Sequence, residues 1–234
     1  MVRFWKLLNN LYEWLLILVF GLLLLIGIWA VLDNYYVFAQ ADRSDLLRWK
    51  PGSVTAGDAA SSPITEDMVG WLTLDGTGID EPVMQGERND KYLSTDPFGR
   101  YSLSGSIFLD SRNAADFSDA YSLIYGHHME RGRMFGALDA YREPDYLQSH
   151  RSGTLLIGRN GETKKRLEVF ACLNVSSREK AVFEPDAAAN RQYLAAHLPA
   201  ETALREAPIL ALTTCADGGQ TARTAVFCYI LPDE

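Results

Sequence analysis

The sequence predicts a mainly β protein, an eight-stranded closed or nearly closed barrel with a few helices, preceded by one membrane-spanning helix. Three observations predict it. A charge-free apolar run lies near the N-terminus, eight short apolar segments alternate with turn residues after it, and only two stretches among those segments have helical spacing.

The apolar run is Trp14 to Leu32, WLLILVFGLLLLIGIWAVL. As a helix rising 1.5 Å per residue it spans about 28 Å, close to the ~30 Å hydrocarbon core of a bilayer. Trp5, Tyr12 and Trp14 precede or open it, and Trp29, Tyr35 and Tyr36 close or follow it, as aromatic rings do at the headgroup level. A buried core helix would show a polar face, and this run has none. Ala39-Gln40-Ala41 resembles a signal-peptide cleavage site, so a cleaved leader is the competing reading. A leader's apolar region, however, runs only about 7–15 residues, so a retained anchor is expected. Arg3 and Lys6 precede the run and Asp33 follows it. That bias places the N-terminus in the cytoplasm and the rest outside a single-pass cell membrane anchor.

The expected organisation is a cytoplasmic start and anchor over 1–32, a juxtamembrane helix and linker over 33–63, and a folded extracellular domain over 64–234. Asp33 to Trp49 has helical spacing and ends at Lys50-Pro51-Gly52, and GSVTAGDAASSP follows as a small-residue linker. The strand candidates are VGWLTL, EPVMQ, GSIFLD, YSLIYGH, GTLLIGR, RLEVFACLNV, APILALTTC and TARTAVFCYIL. Short runs bounded by Gly, Asp and Asn point to a barrel rather than alternating βαβ units. The helical stretches are Met134 to Tyr141 and about Asp186 to His197, with Asp186 placed as N-cap.

Composition excludes some functions. Apolar residues make up 47% and charged residues 22%, which suits a globular core. The net charge of -8 offers no basic footprint for nucleic acid. Of the 3 cysteines, at least one must be a free thiol. Cys172 and Cys228 sit in apolar strand-like runs and read as buried structural thiols. Cys215 instead follows a strand and precedes a Gly-rich turn, in ALTTCADGGQTARTAVF.

A hairpin there returns Arg223 toward Cys215. An adjacent guanidinium favours the thiolate and can donate to the oxyanion formed when a thiolate attacks a carbonyl. A half-buried thiol and a solvated arginine is the alternative on spacing alone. In YSLIYGHHMERGRMFGALDAY a strand runs into Gly126 and then two histidines. A histidine at a strand end can exchange protons with a thiol; plain surface histidines are the alternative, as His150 and His197 are read. Neither His127 nor His128 has i,i+4 spacing to a second ligand and no CxxC occurs, so no zinc site is expected.

The segments VGWLTLDGTGIDEPVMQGERNDKYLSTDPFG, GSIFLDSRN, IYGHHMERGRMFGALDAY and LTTCADGGQTAR resemble, in order, the sortase family, class B in particular. The resemblance covers roughly Val69 to the C-terminus. It implies that His127, Cys215 and Arg223 are the catalytic residues. Class B members usually have Asn and Met after the GH dipeptide, so His128 stands in the Asn place and His127 is the catalytic one. The helix Asp186 to His197 is also a class B trait. Asn89, Leu93, Thr213 and Thr214 take the places of substrate-groove residues. Ala211 stands where the family commonly has Thr, and the loop from Cys215 to Arg223 is compact beside many class B members. Asp217 reads as a turn residue.

The resemblance further implies a cysteine transpeptidase. It would cleave the C-terminal sorting signal of surface proteins or pilins and join the new carboxyl end to a peptidoglycan-precursor or pilin amine, with no cofactor. No Asp-Pro-Trp lid precedes the barrel segments, which favours cell-wall anchoring over pilus assembly. A plain cysteine endopeptidase and a catalytically inert tethered binding domain are the alternatives from other classes.

Overall fold

The computed structural model describes residues 2–41, 44–52, 62–129, 132–199, 202–214 and 221–233. Its contacts divide the chain into two compact units, Met1–Ala41 and Asp42–Glu234.

The first unit is one helix, α1 (Val2–Ala41), which continues past Leu32. Its stretch Arg3–Asp33 is long and apolar enough to cross a membrane. Leu22, Leu23, Leu24, Leu25 and Ile26 are all exposed. At 3.6 residues per turn, consecutive positions like these cover every side of the helix. The surface is therefore apolar all round, as a helix in lipid requires and a helix on a soluble core does not.

The second unit is a barrel. Its strands are β1 (Met68–Leu74), β2 (Asp80–Met84), β3 (Ile107–Leu109), β4 (Tyr121–Gly126), β5 (Ser152–Ile157), β6 (Thr163–Ser176), β7 (Ile209–Thr214) and β8 (Ala222–Pro232). They close in the order β1-β2-β3-β4-β7-β8-β6-β5, and each falls on one of the segments read from the sequence. The β2–β3 and β4–β7 pairs are parallel and the rest antiparallel.

Side chains alternate across a strand, and the two faces of β4, β7 and β8 feed different clusters. Ile124, Leu210, Leu212, Val226 and Cys228 join the cluster that takes residues from every strand and fills the barrel. Leu123, Ala211, Ala225 and Phe227 pack on the other face against Val182 and Leu194. Those two belong to α3 (Lys180–Phe183) and α4 (Ala187–His197). Burial on both faces explains why β7 reads as a continuous apolar run. Asp186 caps α4 by accepting from the Ala188 and Ala189 amides, as the sequence predicted.

The expected helix near Met134 is a 3-10 helix, Phe135–Arg142. Its buried residues are Phe135, Leu138 and Tyr141, spaced three apart, which matches three residues per turn rather than 3.6. This apolar edge plugs the filled barrel. A short α2 (Pro144–Ser149) follows, with proline in its first turn.

A 3-10 turn, Ser44–Trp49, packs into the second unit, with Leu46 buried beside Ile64, Met68 and Trp71. Lys50 Nζ then donates to Asp80 Oδ1 at 2.8 Å and Thr73 Oγ1 at 2.9 Å. Residues 53–61 of the expected linker lie outside the described residues.

Candidate active site

β4 and β7 run parallel with Tyr121 opposite Ile209 and Gly126 opposite Thr214. Parallel neighbours end on the same edge, so the chain leaves β4 into His127 beside the end of β7. The residue that follows Thr214 is Cys215; it and Asp217 lie outside the described residues. β8 returns antiparallel along β7, with Thr213 opposite Ala225. Arg223 is two residues from Ala225 and so shares its face.

His127 is half-buried, and its Nε2 lies 2.7 Å from the carbonyl oxygen of Leu93. A carbonyl only accepts, so Nε2 carries the proton and donates. That carbonyl is placed by Gly105, whose φ is 56°. A Cβ at Gly105 would stand 2.5 Å from the Tyr92 oxygen and 2.7 Å from the Leu93 oxygen. The loop after β4 is held equally closely. The Phe135 amide donates to the His127 carbonyl at 3.0 Å, and a Cβ at Gly126 would meet the Phe135 ring at 2.7 Å. Only glycine fits at either place.

Arg223 Nη1 donates to the Thr214 carbonyl at 2.9 Å. Its guanidinium carbon lies 5.9 Å from the Phe183 ring centroid. Its buried Nε has no hydrogen-bond partner among the described residues.

The family model of the Sortase domain matches residues 72–230. The chain belongs to the sortase family. It is most like class B. It is 40% identical over 108 residues to Sortase B of Listeria monocytogenes and 32% identical over 126 residues to Sortase B of Staphylococcus aureus. Those matches cover 46% and 53% of this chain and 43% and 50% of the relatives. The chain thus spans about half the length of the curated relatives it matches. The crystal structure of a Streptococcus pyogenes class B sortase involved in pilus biogenesis matches with a TM-score of 0.65 at 34% identity. That match covers 76% of this chain and 98% of the other.

In this sortase barrel the four groove positions named from the resemblance differ in setting. Leu93 is 38% exposed beside His127. Thr214 is buried, and its carbonyl receives Arg223. Thr213 is buried and its hydroxyl donates to the Ile124 carbonyl at 3.3 Å. Asn89 is half-buried with both ends of its amide engaged: Nδ2 donates to Asp110 Oδ2 at 3.0 Å and Oδ1 accepts from the Ser111 amide at 2.7 Å.

Asp110, which no sequence pattern singles out, organises this side of the site. Its side chain is wholly buried against Arg112 and also receives the Tyr125 hydroxyl at 3.1 Å. Burial alone would raise its pKa, but the hydrogen bonds and charge of Arg112, with Asn89, outweigh it and hold the carboxyl below its ordinary value. Arg112 Nη2 also donates to the Phe183 carbonyl at 2.8 Å, fixing the residue whose ring lies by Arg223.

The other two cysteines are free and unreactive by environment. Burial pushes the Cys172 thiol up to about 12 and raises that of Cys228 further.

Proposed function

We propose that this sortase is a membrane-anchored cysteine transpeptidase with Cys215 as nucleophile, His127 as acid and base, and Arg223 as oxyanion donor. The observation that carries the reading is the register of β4 on β7, Gly126 opposite Thr214. It sets His127 at the strand end from which the sequence continues into Cys215, while Arg223 bonds the Thr214 carbonyl. Cys228 is buried and Cys172 half-buried, both with raised thiol pKa values, which favours Cys215 as the reactive one.

The Cys215 thiolate attacks the carbonyl carbon of a sorting signal, forming an S–C bond and an oxyanion. The Arg223 guanidinium stabilises that oxyanion; one such donor is worth about 3–4 kcal/mol. Collapse breaks the C–N bond, and imidazolium His127 gives its proton to the leaving amine. With Nε2–H held on Leu93, Nδ1 is the ring atom that exchanges this proton. An acceptor amine then attacks the thioester, its proton passes to His127, and the thiolate leaves with a new amide formed. Every step is proton and acyl transfer between side chains and substrate, so the chemistry calls for no cofactor.

The exposed Leu93 side chain is the first contact for the signal, with Asn89, Thr213 and Thr214 supporting the groove from within through the bonds they make. The acceptor is an amine of a peptidoglycan precursor or a pilin, and the pilus role of the Streptococcus pyogenes relative keeps the pilin in view. α1 is the anchor, with its N-terminus in the cytoplasm and the barrel outside the cell membrane.

The test uses the full chain in detergent with a panel of sorting-signal peptides and glycine or diaminopimelate-type amines, read by mass spectrometry. Ligated product that disappears in Cys215→Ala supports transpeptidation. Hydrolysis alone under saturating amine means an endopeptidase.

A further inference from the structure

The residues that follow His127 and Arg223 in the chain, His128 and Thr224, both bond one carboxylate, that of Asp139. His128 Nε2 lies 2.7 Å from Asp139 Oδ2, and Thr224 Oγ1 donates to Asp139 Oδ1 at 2.5 Å. Arg142 completes the group, with Nη2 3.2 Å from Asp139 Oδ1 and a short bond to the Thr224 hydroxyl. Asp139 and Arg142 both lie on the 3-10 helix that plugs the barrel, and Thr224 is 1% exposed on β8.

We propose that Asp139 is a positioning residue, the centre of a clamp that fixes the spacing between His127 and Arg223 from beneath. The chemistry suits a rigid link. A carboxylate only accepts, so the His128 ring is held with its proton on Nε2. Burial would raise the Asp139 pKa, but the bonds from Thr224 and His128 and the charge of Arg142 lower it on balance. It is therefore ionised at neutral pH, and its bonds are charge-assisted. The link runs from the post-β4 loop, through the 3-10 helix, to β8, and adds side-chain bonds to the Phe135–His127 backbone bond and the apolar packing that already join these elements. Small displacements of catalytic groups are costly in rate, and a site held by a supporting layer of hydrogen bonds is the usual remedy.

This inference rests on the transpeptidase reading, and two measurements on the full chain in detergent separate their failures. The first is steady-state ligation by wild type, Asp139→Asn, Thr224→Val and the double variant. The expected result is a fall in kcat of about tenfold or more for each single variant with KM within about twofold, and a double variant no worse than the poorer single. Unchanged kcat in both single variants, or strictly multiplicative losses, overturns the clamp.

The second needs no catalysis: long-range proton–nitrogen spectra of histidine-labelled protein. The clamp predicts that Asp139→Asn and Thr224→Val each shift the His127 ring signals, although neither residue touches that ring. His127 signals that stay in place overturn it, whether or not the wild type ligates. A wild type with no ligation but with those shifts refutes the transpeptidase reading and leaves the clamp standing.

Discussion

The Nε2–H of His127 donates to the backbone carbonyl of Leu93 across 2.7 Å. The imidazole is therefore oriented by the main chain of a 3-10 turn, Lys91–Leu93, where other cysteine enzymes use a side chain as the third member of a triad. The orienting carbonyl and an exposed apolar side chain belong to one residue, which links the position of Leu93 to the orientation of His127.

Gly105→Ala tests that link. A methyl group must push back the Tyr92 and Leu93 carbonyls, which stand 2.5 and 2.7 Å from its position, and the φ of 56° adds strain. The expected result is a loss of at least about tenfold in kcat/KM from misplacement of His127. Its thermal midpoint should also fall, by roughly 4 °C for each ~1 kcal/mol lost. Circular dichroism with parallel kinetics checks both.

Arg223→Ala should lower the rate of acyl-enzyme formation by about 10²–10³ with a small effect on KM, the signature of a donor used in the transition state. Arg223→Lys should recover little, because the ammonium lacks the planar fork in which Nη1 bonds the Thr214 carbonyl while a second nitrogen faces the oxyanion. Single-turnover kinetics distinguishes these from a general loss of fold.

Asp110 gives a pH-dependent stability with a fixed sign. Its folded pKa is lowered, so its contribution is complete above the unfolded value near 3.9 and is lost as pH falls below it. Asp110→Ala should destabilise by about 1–3 kcal/mol, because the Asn89 amide and the Tyr125 hydroxyl lose their buried acceptor. Thermal melts from pH 7 to pH 3 should show wild type losing its advantage over Asp110→Asn in acid.

Thiol labelling separates the three cysteines. At pH 8 a thiol with a pKa pushed up to about 12 is thiolate in only about one part in 10⁴. Brief iodoacetamide treatment of native protein should modify Cys215, with Cys172 and Cys228 reacting only after unfolding. Peptide mapping reads the outcome, and native modification of Cys172 would contradict it.

The barrel was legible because its strands carry the two patterns that sheet burial imposes. β7 is buried throughout, whereas β6 alternates, with Leu167, Val169 and Ala171 buried and Arg166, Glu168 and Phe170 exposed or half-exposed. The 3-10 turn Ser44–Trp49 read as the end of a longer helical stretch, since nothing in the spacing of its residues marks that Leu46 packs with Ile64 and Trp71. His127 and Arg223 stood out by residue type at strand ends. Asp110 and Asp139 did not, because the partners that tie them to the site lie far along the chain: Asp139 meets Thr224 and Asp110 meets Asn89. Such contacts exist only once the barrel has closed.

The most direct test of the account is the intact mass of the full chain after brief exposure to a cleavable sorting-signal peptide without amine, quenched in acid. The account predicts an added mass equal to the acyl fragment, mapped to Cys215, absent in Cys215→Ala and released by hydroxylamine as a thioester must be. Cleaved peptide with no adduct on Cys215, or an adduct on Cys172 or Cys228, would contradict it.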